Sequence, residues 1–175
     1  MTEAELRTYI RDIPDFPKPG IVFKDITPLL AAGKALQAVV DHIADRYQGT
    51  VDTVLGIESR GFIIGAAVAY RLGIGLALVR KPGKLPHKTY AAKYELEYGT
   101  DTLEIHRDAV GSNSRVLIVD DLLATGGTAS AAIELVRRLD GEVKACAFVV
   151  ELAFLDGRKR LDVPEVFSLI RYDGE

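Results

Sequence analysis

This sequence has one cysteine and no tryptophan. A lone cysteine excludes an intrachain disulfide, and Cys146 lies in the apolar run 145–150, where a buried, unreactive thiol is expected. The N-terminal residues lack the cationic start and the apolar stretch of a signal peptide. Both absences fit a reducing compartment, and we therefore expect a cytoplasmic location.

No apolar run approaches the length of about 20 residues that a membrane helix needs, so no membrane partner is expected. A basic excess is also lacking, because 22 Lys and Arg residues stand against 25 Asp and Glu residues, for a net charge of -3. This balance argues against general binding of nucleic acid. It leaves open the binding of a phosphorylated small molecule, for which one local cluster of amides and basic side chains is enough.

Strand-like and helix-like segments alternate along the 175 residues, a length that suits one domain. Short β-branched and leucine-rich runs predict strands, and segments of helical spacing that end near glycine predict helices. The strands are predicted over 53–57, 76–79, 116–119 and 143–152, and the helices over 3–11, 28–48, 61–72 and 129–139. The alternation predicts a single α/β domain over 1–175, with a mostly parallel central sheet flanked by helices.

The segment 80–102 interrupts this alternation. It contains Pro82, Gly83, Pro86 and Gly99 and is too long for an ordinary connection in a compact domain. Apolar residues alternate with acidic ones over 94–98, so part of it is predicted to be a strand or a hairpin arm. Because it is also rich in lysine, we expect a flexible, hairpin-like lid outside the packed core, which closes over bound substrates.

The stretch 116–128 carries the most specific chemistry. A buried strand is followed by Asp120 and Asp121, then by a turn rich in glycine and threonine, then by a helix. Free amides at a helix N-terminus can hold a phosphate, and glycine at 126 and 127 lets the backbone approach it closely. Ionised carboxylates only accept hydrogen bonds, so the two acids suit sugar hydroxyls beside that phosphate. The plainer alternative is an ordinary helix start with a polar cap.

Two further segments have both a plain and a functional interpretation. The turn at 58–61 also joins a predicted strand to a helix, and Arg60 can fork across phosphate oxygens, although a lone arginine is more often a surface residue. Phe23 is either a core residue or a stacking platform for a planar ligand. The spacing of the three histidines does not suggest a zinc site.

Four segments resemble, in the right order, the motifs of the type I phosphoribosyltransferases. Residues 119–128 resemble the motif that binds phosphoribosyl pyrophosphate (PRPP), in the version of the adenine-specific members. Residues 16–26 resemble the base-binding segment, and residues 58–62 resemble the pyrophosphate loop. The flexible loop is resembled by residues 80–86 and 96–99. Together these matches cover most of the chain.

The resemblance implies a purine salvage enzyme that transfers the phosphoribosyl group of PRPP to N9 of adenine, giving AMP and pyrophosphate. An oxocarbenium-like transition state is expected by analogy with other glycosyl transfers. The resemblance also implies Mg²⁺ carried by PRPP without a direct protein ligand, a homodimer in which Arg80 or Lys81 reaches the neighbour's PRPP, a base-binding hood over 1–30, and a cis peptide bond at Glu58–Ser59.

The resemblance assigns the site residues as follows. Glu97 and Arg60 are the catalytic residues, with Glu97 managing the proton that adenine loses. Phe23 stacks on adenine, the backbones of Val22 and Lys24 read the base edge, and Tyr98 lies beside the base; many relatives have arginine in place of Lys24. The residues expected to bind PRPP or AMP are Ser59, Arg60, Arg80, Lys81, Lys84, Asp120, Asp121, Ala124, Thr125, Gly126, Gly127 and Thr128.

Two alternatives remain open within this fold. One is a relative that uses a 6-oxopurine, in which a lysine commonly follows the later strands of the sheet, whereas residues 149–152 contain none. The other is a regulator that binds PRPP without catalysis. Such a repressor would carry an additional DNA-binding segment, for which we expect no room in this chain, and Glu97 favours catalysis.

Overall fold

The computed structural model describes residues 1–95 and 99–174, which form helices and strands in alternation. The helices are α1 (Glu3–Arg7), α2 (Thr27–Ala31), α3 (Gly33–Tyr47), α4 (Arg60–Leu72) and α5 (Gly127–Arg137). The strands are β1 (Arg11–Ile13), β2 (Phe23–Asp25), β3 (Thr53–Ile57), β4 (Gly75–Arg80), β5 (Thr89–Glu95), β6 (Thr100–His106), β7 (Arg115–Leu123), β8 (Glu142–Leu152) and β9 (Val166–Tyr172). Two 3₁₀ turns, Ala153–Leu155 and Gly157–Arg160, join β8 to β9.

A seven-stranded sheet in the order β5-β6-β4-β3-β7-β8-β9 forms the centre of the protein. The strands from β4 to β9 in this order are parallel, whereas β6 runs antiparallel to both β4 and β5. The predicted α/β fold with a mostly parallel sheet is therefore confirmed. The chain leaves β3 toward β4 on one side and returns to β7 on the other, and ligands bind at such a switch point in open α/β sheets.

Strand β7 shows why the sheet is covered on both faces. Val116 and Ile118 pack into the cluster that includes the apolar side of α5, whereas Leu117 and Val119 pack into the cluster built from α1 to α4. A strand buried on both faces needs a continuous apolar run rather than an alternating one, and 116–119 has this pattern. Because both faces are fixed by helices, the carboxyl ends of β3 and β7 are held in register.

The N-terminal region differs from the prediction in two places. Helix α1 ends at Arg7 rather than at residue 11, because Arg11–Ile13 forms β1 and pairs with β2 in a small antiparallel sheet. The predicted helix over 28–48 is divided in two at Ala32, which has an extended ψ of 100°. The break reorients the chain between α2 and α3, and the apolar spacing alone did not reveal it.

The described part of the segment 80–102 contains regular structure. Residues 89–95 form β5, and residues 100–106 form β6, with which β5 makes an antiparallel hairpin at the edge of the sheet. Ala92 and Tyr94 are buried in the core cluster beneath α5. The expectation that this segment lies outside the packed core is therefore wrong for Ala92 and Tyr94. The prediction that part of it is a strand or a hairpin arm is confirmed.

Strand β9 at the other edge was not predicted, although it adds Leu169 and Ile170 to the core. Cys146 is buried in β8, and burial raises the pKa of its thiol to about 12, as expected for an unreactive group. Within the described part of the chain, every helix is too short or too polar to span a bilayer.

Candidate active site

A cavity of about 350 Å³ opens at the carboxyl ends of β3 and β7. It lies at the switch point of the sheet, where the turn from β3 to α4 and the turn from β7 to α5 come together. The lining residues are Glu58, Ser59, Arg60, Lys81, Tyr94, Leu103 and the continuous run from Asp120 to Ala129. The cavity therefore collects side chains from three separate regions of the sequence.

Residues 124–128, which we call the phosphate loop, form one wall of this cavity. Helix α5 begins at Gly127, and its N-cap, Gly126, has a left-handed φ of 82° and provides no capping side chain. The first-turn amides of a helix have no partner within it. Those of α5 are thus available to an anion, beside the hydroxyls of Thr125 and Thr128. A polar side-chain cap, the plainer interpretation of this sequence, is absent from Gly126.

Asp120 and Asp121 are buried on the last part of β7, which continues to Leu123 instead of ending before the two acids as predicted. Asp120 Oδ1 accepts a hydrogen bond from the backbone N–H of Asp121 at 2.9 Å. Burial and the neighbouring charge of Asp121 raise the pKa of Asp120 well above its ordinary value. Both causes disfavour the charged form of Asp120, and hydroxyl donors on a ligand would stabilise that form.

The β3–α4 turn forms the opposite part of the lining. The Glu58–Ser59 peptide bond is cis, as expected from the family resemblance. Arg60 Nε donates a hydrogen bond to Asp121 Oδ2, so the two turns are joined by an ion pair. Helix α4, like α5, begins without a capping side chain. This turn therefore offers helix amides and a guanidinium to a second anionic group.

Glu58, which the sequence had not indicated as a functional side chain, connects this turn to the end of β4. Its carboxylate accepts hydrogen bonds from Arg80 Nη2 at 3.0 Å and from the backbone N–H of Lys81 at 2.7 Å. Burial would raise the pKa of Glu58, but these two bonds hold the pKa below its ordinary value. Glu58 thus fixes two of the predicted PRPP-binding residues relative to the cavity.

The expected basic residues do not occupy equivalent positions. Lys81 lines the cavity, and its ammonium group contacts Asp101 and the hydroxyl of Tyr94. Arg80 stands beside the cavity, paired with Glu58. Lys84 is exposed, and its carbonyl accepts a hydrogen bond from Arg80 Nη1 at 3.4 Å.

Phe23, from the N-terminal segment, packs against Arg60, which lines the cavity. The centroid of its half-buried ring is 5.5 Å from Arg60 Cζ, and it also contacts Phe16 edge-on at 5.3 Å. The Lys24 ammonium is directed away, to Asp12 at 2.9 Å and over the ring of Tyr172 at 4.4 Å. Only the backbone of Lys24 therefore remains for reading a base, while Val22, next to Phe23, is half-buried.

Ten of the predicted PRPP-binding residues meet at the cavity: Ser59, Arg60, Lys81, Asp120, Asp121, Ala124, Thr125, Gly126, Gly127 and Thr128. Glu97 and Tyr98 lie outside the described residues. Glu58, Tyr94 and Leu103 also line the cavity and were missed as site residues. Tyr94 shows the alternating pattern of a strand, but nothing in the sequence places its ring beside residues 120–129.

The negative charge of the two buried acids fits a magnesium ion that arrives on a phosphate ligand and keeps that ligand's oxygens, without the acids themselves as its ligands. Among residues 1–95 and 99–174, no group of three or more His, Cys, Asp or Glu side chains is placed to hold a metal ion.

Comparison with known proteins agrees with this geometry. Residues 25–170 match the phosphoribosyl transferase domain family. The chain is 60% identical over 169 residues to the adenine phosphoribosyltransferase of Geobacter metallireducens, covering 96% of this chain and 99% of that protein. Among solved structures, adenine phosphoribosyltransferase from Thermoanaerobacter pseudethanolicus matches with a TM-score of 0.94 and 54% identity, over 98% of this chain and 100% of that chain.

The adenine phosphoribosyltransferase of Saccharomyces cerevisiae was solved with adenine and an imino-altritol 1,6-bisphosphate. It matches with a TM-score of 0.91 and 42% identity, over 96% of this chain and 98% of that chain. A family match over most of the chain, together with relatives of this identity along nearly its whole length, establishes the membership: the chain belongs to the adenine phosphoribosyltransferase family, within the phosphoribosyl transferase domain family.

Proposed function

We infer that this protein transfers the phosphoribosyl group of PRPP to N9 of adenine, which gives AMP and pyrophosphate in purine salvage. One observation carries the inference: a single cavity joins an uncapped helix N-terminus to two buried carboxylates, with an aromatic ring and a guanidinium beside it. A phosphate, a ribose and a purine match these groups in that order.

In this proposal the two turns bind different groups of the PRPP molecule. The phosphate loop holds the 5-phosphate through its amides and through the hydroxyls of Thr125 and Thr128. Asp120 and Asp121 accept hydrogen bonds from the ribose hydroxyls. Ser59 and Arg60 hold the pyrophosphate, and the basic residues Arg80, Lys81 and Lys84 stabilise its charge as it departs.

A magnesium ion bound to PRPP would supply charge neutralisation of the pyrophosphate group, with Asp120 and Asp121 nearby holding the ribose rather than the metal. The protein's own residues hold the sugar, the base and the leaving group in line and exclude water from the cationic sugar.

Adenine stacks on Phe23, and the main chain of Val22 and Lys24 reads its edge. The position of the Lys24 ammonium, which is held by Asp12, supports a contact through the backbone rather than through this side chain. Tyr98 lies beside the imidazole ring of the purine in this proposal. Residues 1–30 thus act as the base-binding hood.

Glu97 takes up the proton that adenine loses at N9, and the part of the segment 80–102 that lies outside the packed core acts as a lid that brings Glu97 to the base. Because general acid–base groups contribute about 10²–10⁴-fold, Glu97→Gln is expected to lower kcat in this range while PRPP affinity stays nearly unchanged. Single-turnover kinetics, which isolate chemistry from product release, measure this effect. Near-normal chemistry in the variant, or hydrogen exchange of 80–102 that is equal with and without substrates, would contradict this role.

The working form is proposed to be a cytoplasmic homodimer. Apolar side chains are exposed on the surface of α4 and β4, two elements that pack against each other, with Ile63 at 48%, Tyr70 at 90%, Leu76 at 38% and Leu78 at 36% exposure. This surface leads to the end of β4, where Arg80 and Lys81 stand, so a second copy bound here could receive either residue at its own PRPP site.

Light scattering tests the dimer with Tyr70→Asp, which should give the monomer mass, and with Leu155→Asp, an exposed apolar residue outside this surface, which should not. A wild-type protein that is monomeric and fully active would contradict the proposal.

Cell fractionation tests the proposed cytoplasmic location. Recovery of the protein outside the cytoplasmic fraction would contradict that location.

The test of the function is a panel of purine bases with PRPP and magnesium, analysed for nucleotide product. We expect AMP formation from adenine to far exceed product formation from hypoxanthine or guanine. Equal or faster turnover of a 6-oxopurine would support the first alternative. PRPP binding without any nucleotide product would support a regulator.

A further inference from the structure

Gly157, in the turn that follows β8, lies directly against the phosphate loop. A Cβ atom at this position would collide with the carbonyl oxygen of Ala124 and would lie 2.9 Å from the backbone nitrogen of Gly126. A Cβ at Gly126 would in turn collide with the carbonyl oxygen of Gly157. The backbone at Gly157 therefore touches the backbone at Gly126, and neither position has room for a side chain.

The position of Gly157 is fixed by its neighbour Arg158. Arg158 donates two hydrogen bonds to the carboxylate of Glu151, from Nε at 3.0 Å and from Nη2 at 2.6 Å, and a further one to the carbonyl of Val166. Glu151 is only 3% exposed and pairs across the sheet with Leu123, the residue before the phosphate loop. The ion pair thus connects the turn that carries Gly157 to the strand beside the loop.

The hydrogen bonds to Glu151 favour its ionised form. Burial would raise the pKa of Glu151, but the hydrogen bonds from Arg158 and Ser168 hold the pKa below its ordinary value. A planar, two-bonded arginine–carboxylate pair also fixes orientation, which a lysine cannot do. Of the residues that the structure describes, those lining the cavity include neither Glu151 nor Arg158, so neither can act by touching a ligand there.

We propose that Gly157, held by the Arg158–Glu151 ion pair, is a positioning residue that sets the conformation of the phosphate loop and thereby the affinity for the 5-phosphate of PRPP and AMP. This inference rests on the proposed function. Its specific consequence is selectivity: the phosphate loop is supported by Gly157, whereas the β3–α4 turn is supported by Glu58 and Asp121. Disturbing Gly157 should therefore weaken ligands that carry the 5-phosphate and leave adenine and pyrophosphate binding intact.

The test compares Gly157→Ala with Gly33→Ala, a matched control in which the added methyl group meets nothing within 4 Å. Overpacking of this kind should lower the affinity for AMP and for ribose 5-phosphate by about ten- to a hundredfold. The affinities for adenine and pyrophosphate should change by less than about twofold, and the KM for PRPP should rise more than kcat falls. Isothermal titration and steady-state kinetics on the full chain measure these quantities.

Arg158→Lys provides a second variant that does not add volume. It keeps the positive charge but loses the two-bonded guanidinium contact with Glu151. Its AMP affinity should therefore lie between that of the wild type and that of Gly157→Ala, and its adenine affinity should not change. Arg158→Met should weaken AMP further than Arg158→Lys does.

Two results would overturn the proposal: unchanged AMP affinity in Gly157→Ala and Arg158→Met, or equal losses for AMP, adenine and pyrophosphate. If the wild type itself neither binds nor forms AMP, it is the proposed function that fails instead.

Discussion

The β3–α4 turn and the phosphate loop both line the cavity with an uncapped helix start, but different contacts hold them in place. Charged side chains hold the first turn, through Glu58 to Arg80 and Lys81, and through Arg60 to Asp121. Backbone contacts hold the second: Gly126 lies against Gly157, and a Cβ at Gly127 would be 2.8 Å from the carbonyl oxygen of Glu95. Removing the charge of Glu58 should therefore disturb the first turn, and adding a methyl group at the Gly126–Gly157 contact should disturb the second.

Asp120 lies beside both turns, and of the substitutions in this comparison its replacement should cause the largest loss of ligand affinity. A Cβ at Gly61 would be 2.8 Å from Asp120 Oδ1, so the carboxylate is also packed against the start of α4. In Asp120→Asn, the amide oxygen still accepts from Asp121 N–H, but the charge is gone. The loss of a charge-assisted hydrogen bond to ribose, about 1.5–3 kcal/mol, should weaken PRPP by about ten- to a hundredfold. Adenine affinity should change less.

The same substitution should stabilise the protein without ligand. The folded-state pKa of Asp120 is raised above its unfolded value, so the stability associated with its protonated form is present at low pH and is lost as pH rises through the raised pKa. The Tm of Asp120→Asn should thus exceed that of the wild type by an amount that increases from about pH 4 upward. Thermal unfolding of both proteins at several pH values measures this difference in Tm.

Titration with PRPP tests the binding role separately. An unchanged PRPP affinity in Asp120→Asn would mean that Asp120 does not hold the sugar.

A methyl group in the phosphate loop should have the next largest effect. Gly126→Ala places a side chain at a φ of 82° and against Gly157. The left-handed conformation costs a non-glycine residue about 1–2 kcal/mol, so AMP affinity should fall about five- to thirtyfold as the loop relaxes away from its binding conformation.

Gly49→Ala is the control for Gly126→Ala, because Gly49 has a φ of 75° and open space around it. It should lower Tm but leave AMP affinity unchanged. Equal AMP affinities in the two variants would show that backbone packing does not shape the loop.

The smallest effect is expected at the β3–α4 turn. Glu58→Gln keeps the shape of the side chain but loses the charge that pairs with Arg80. Because partly exposed pairs contribute up to about 1 kcal/mol, the KM for PRPP should rise about two- to fivefold, with AMP affinity unchanged. A loss of AMP affinity equal to the rise in KM would contradict the division between the two turns.

The pH dependence provides a second test of Glu58. Its folded-state pKa is lowered, so the stability it contributes is present at neutral pH and is lost as pH falls through that pKa. The difference in Tm between the wild type and Glu58→Gln should therefore disappear in acid. A difference that stays constant down to low pH would mean that the pair with Arg80 contributes nothing.

The same contrast explains what could be predicted from the sequence. The run at 116–119 predicted a doubly covered strand, and the glycines and threonines after it predicted a helix start that lines the cavity without a side-chain cap, because both are local patterns. Arg60 lines the cavity, and both its position in a strand-to-helix turn and the family resemblance had indicated it, while its role there stays a prediction. Gly157 lies 31 residues beyond Gly126 by sequence number, and no local pattern indicates that two distant backbones touch. The break at Ala32 and the edge strand β9 were missed for the same reason, since both depend on tertiary packing.

The most direct measurement is a crystal structure with AMP bound. The phosphate should lie on the amides of residues 125–128, the ribose hydroxyls should bond to Asp120 and Asp121, and adenine should stack on Phe23. Arg60 should move from Asp121 or share it with the ligand, while Gly126 and Gly157 stay in contact. A phosphate bound away from the phosphate loop, or a base that does not touch Phe23, would contradict the assignment of this cavity as the site of phosphoribosyl transfer.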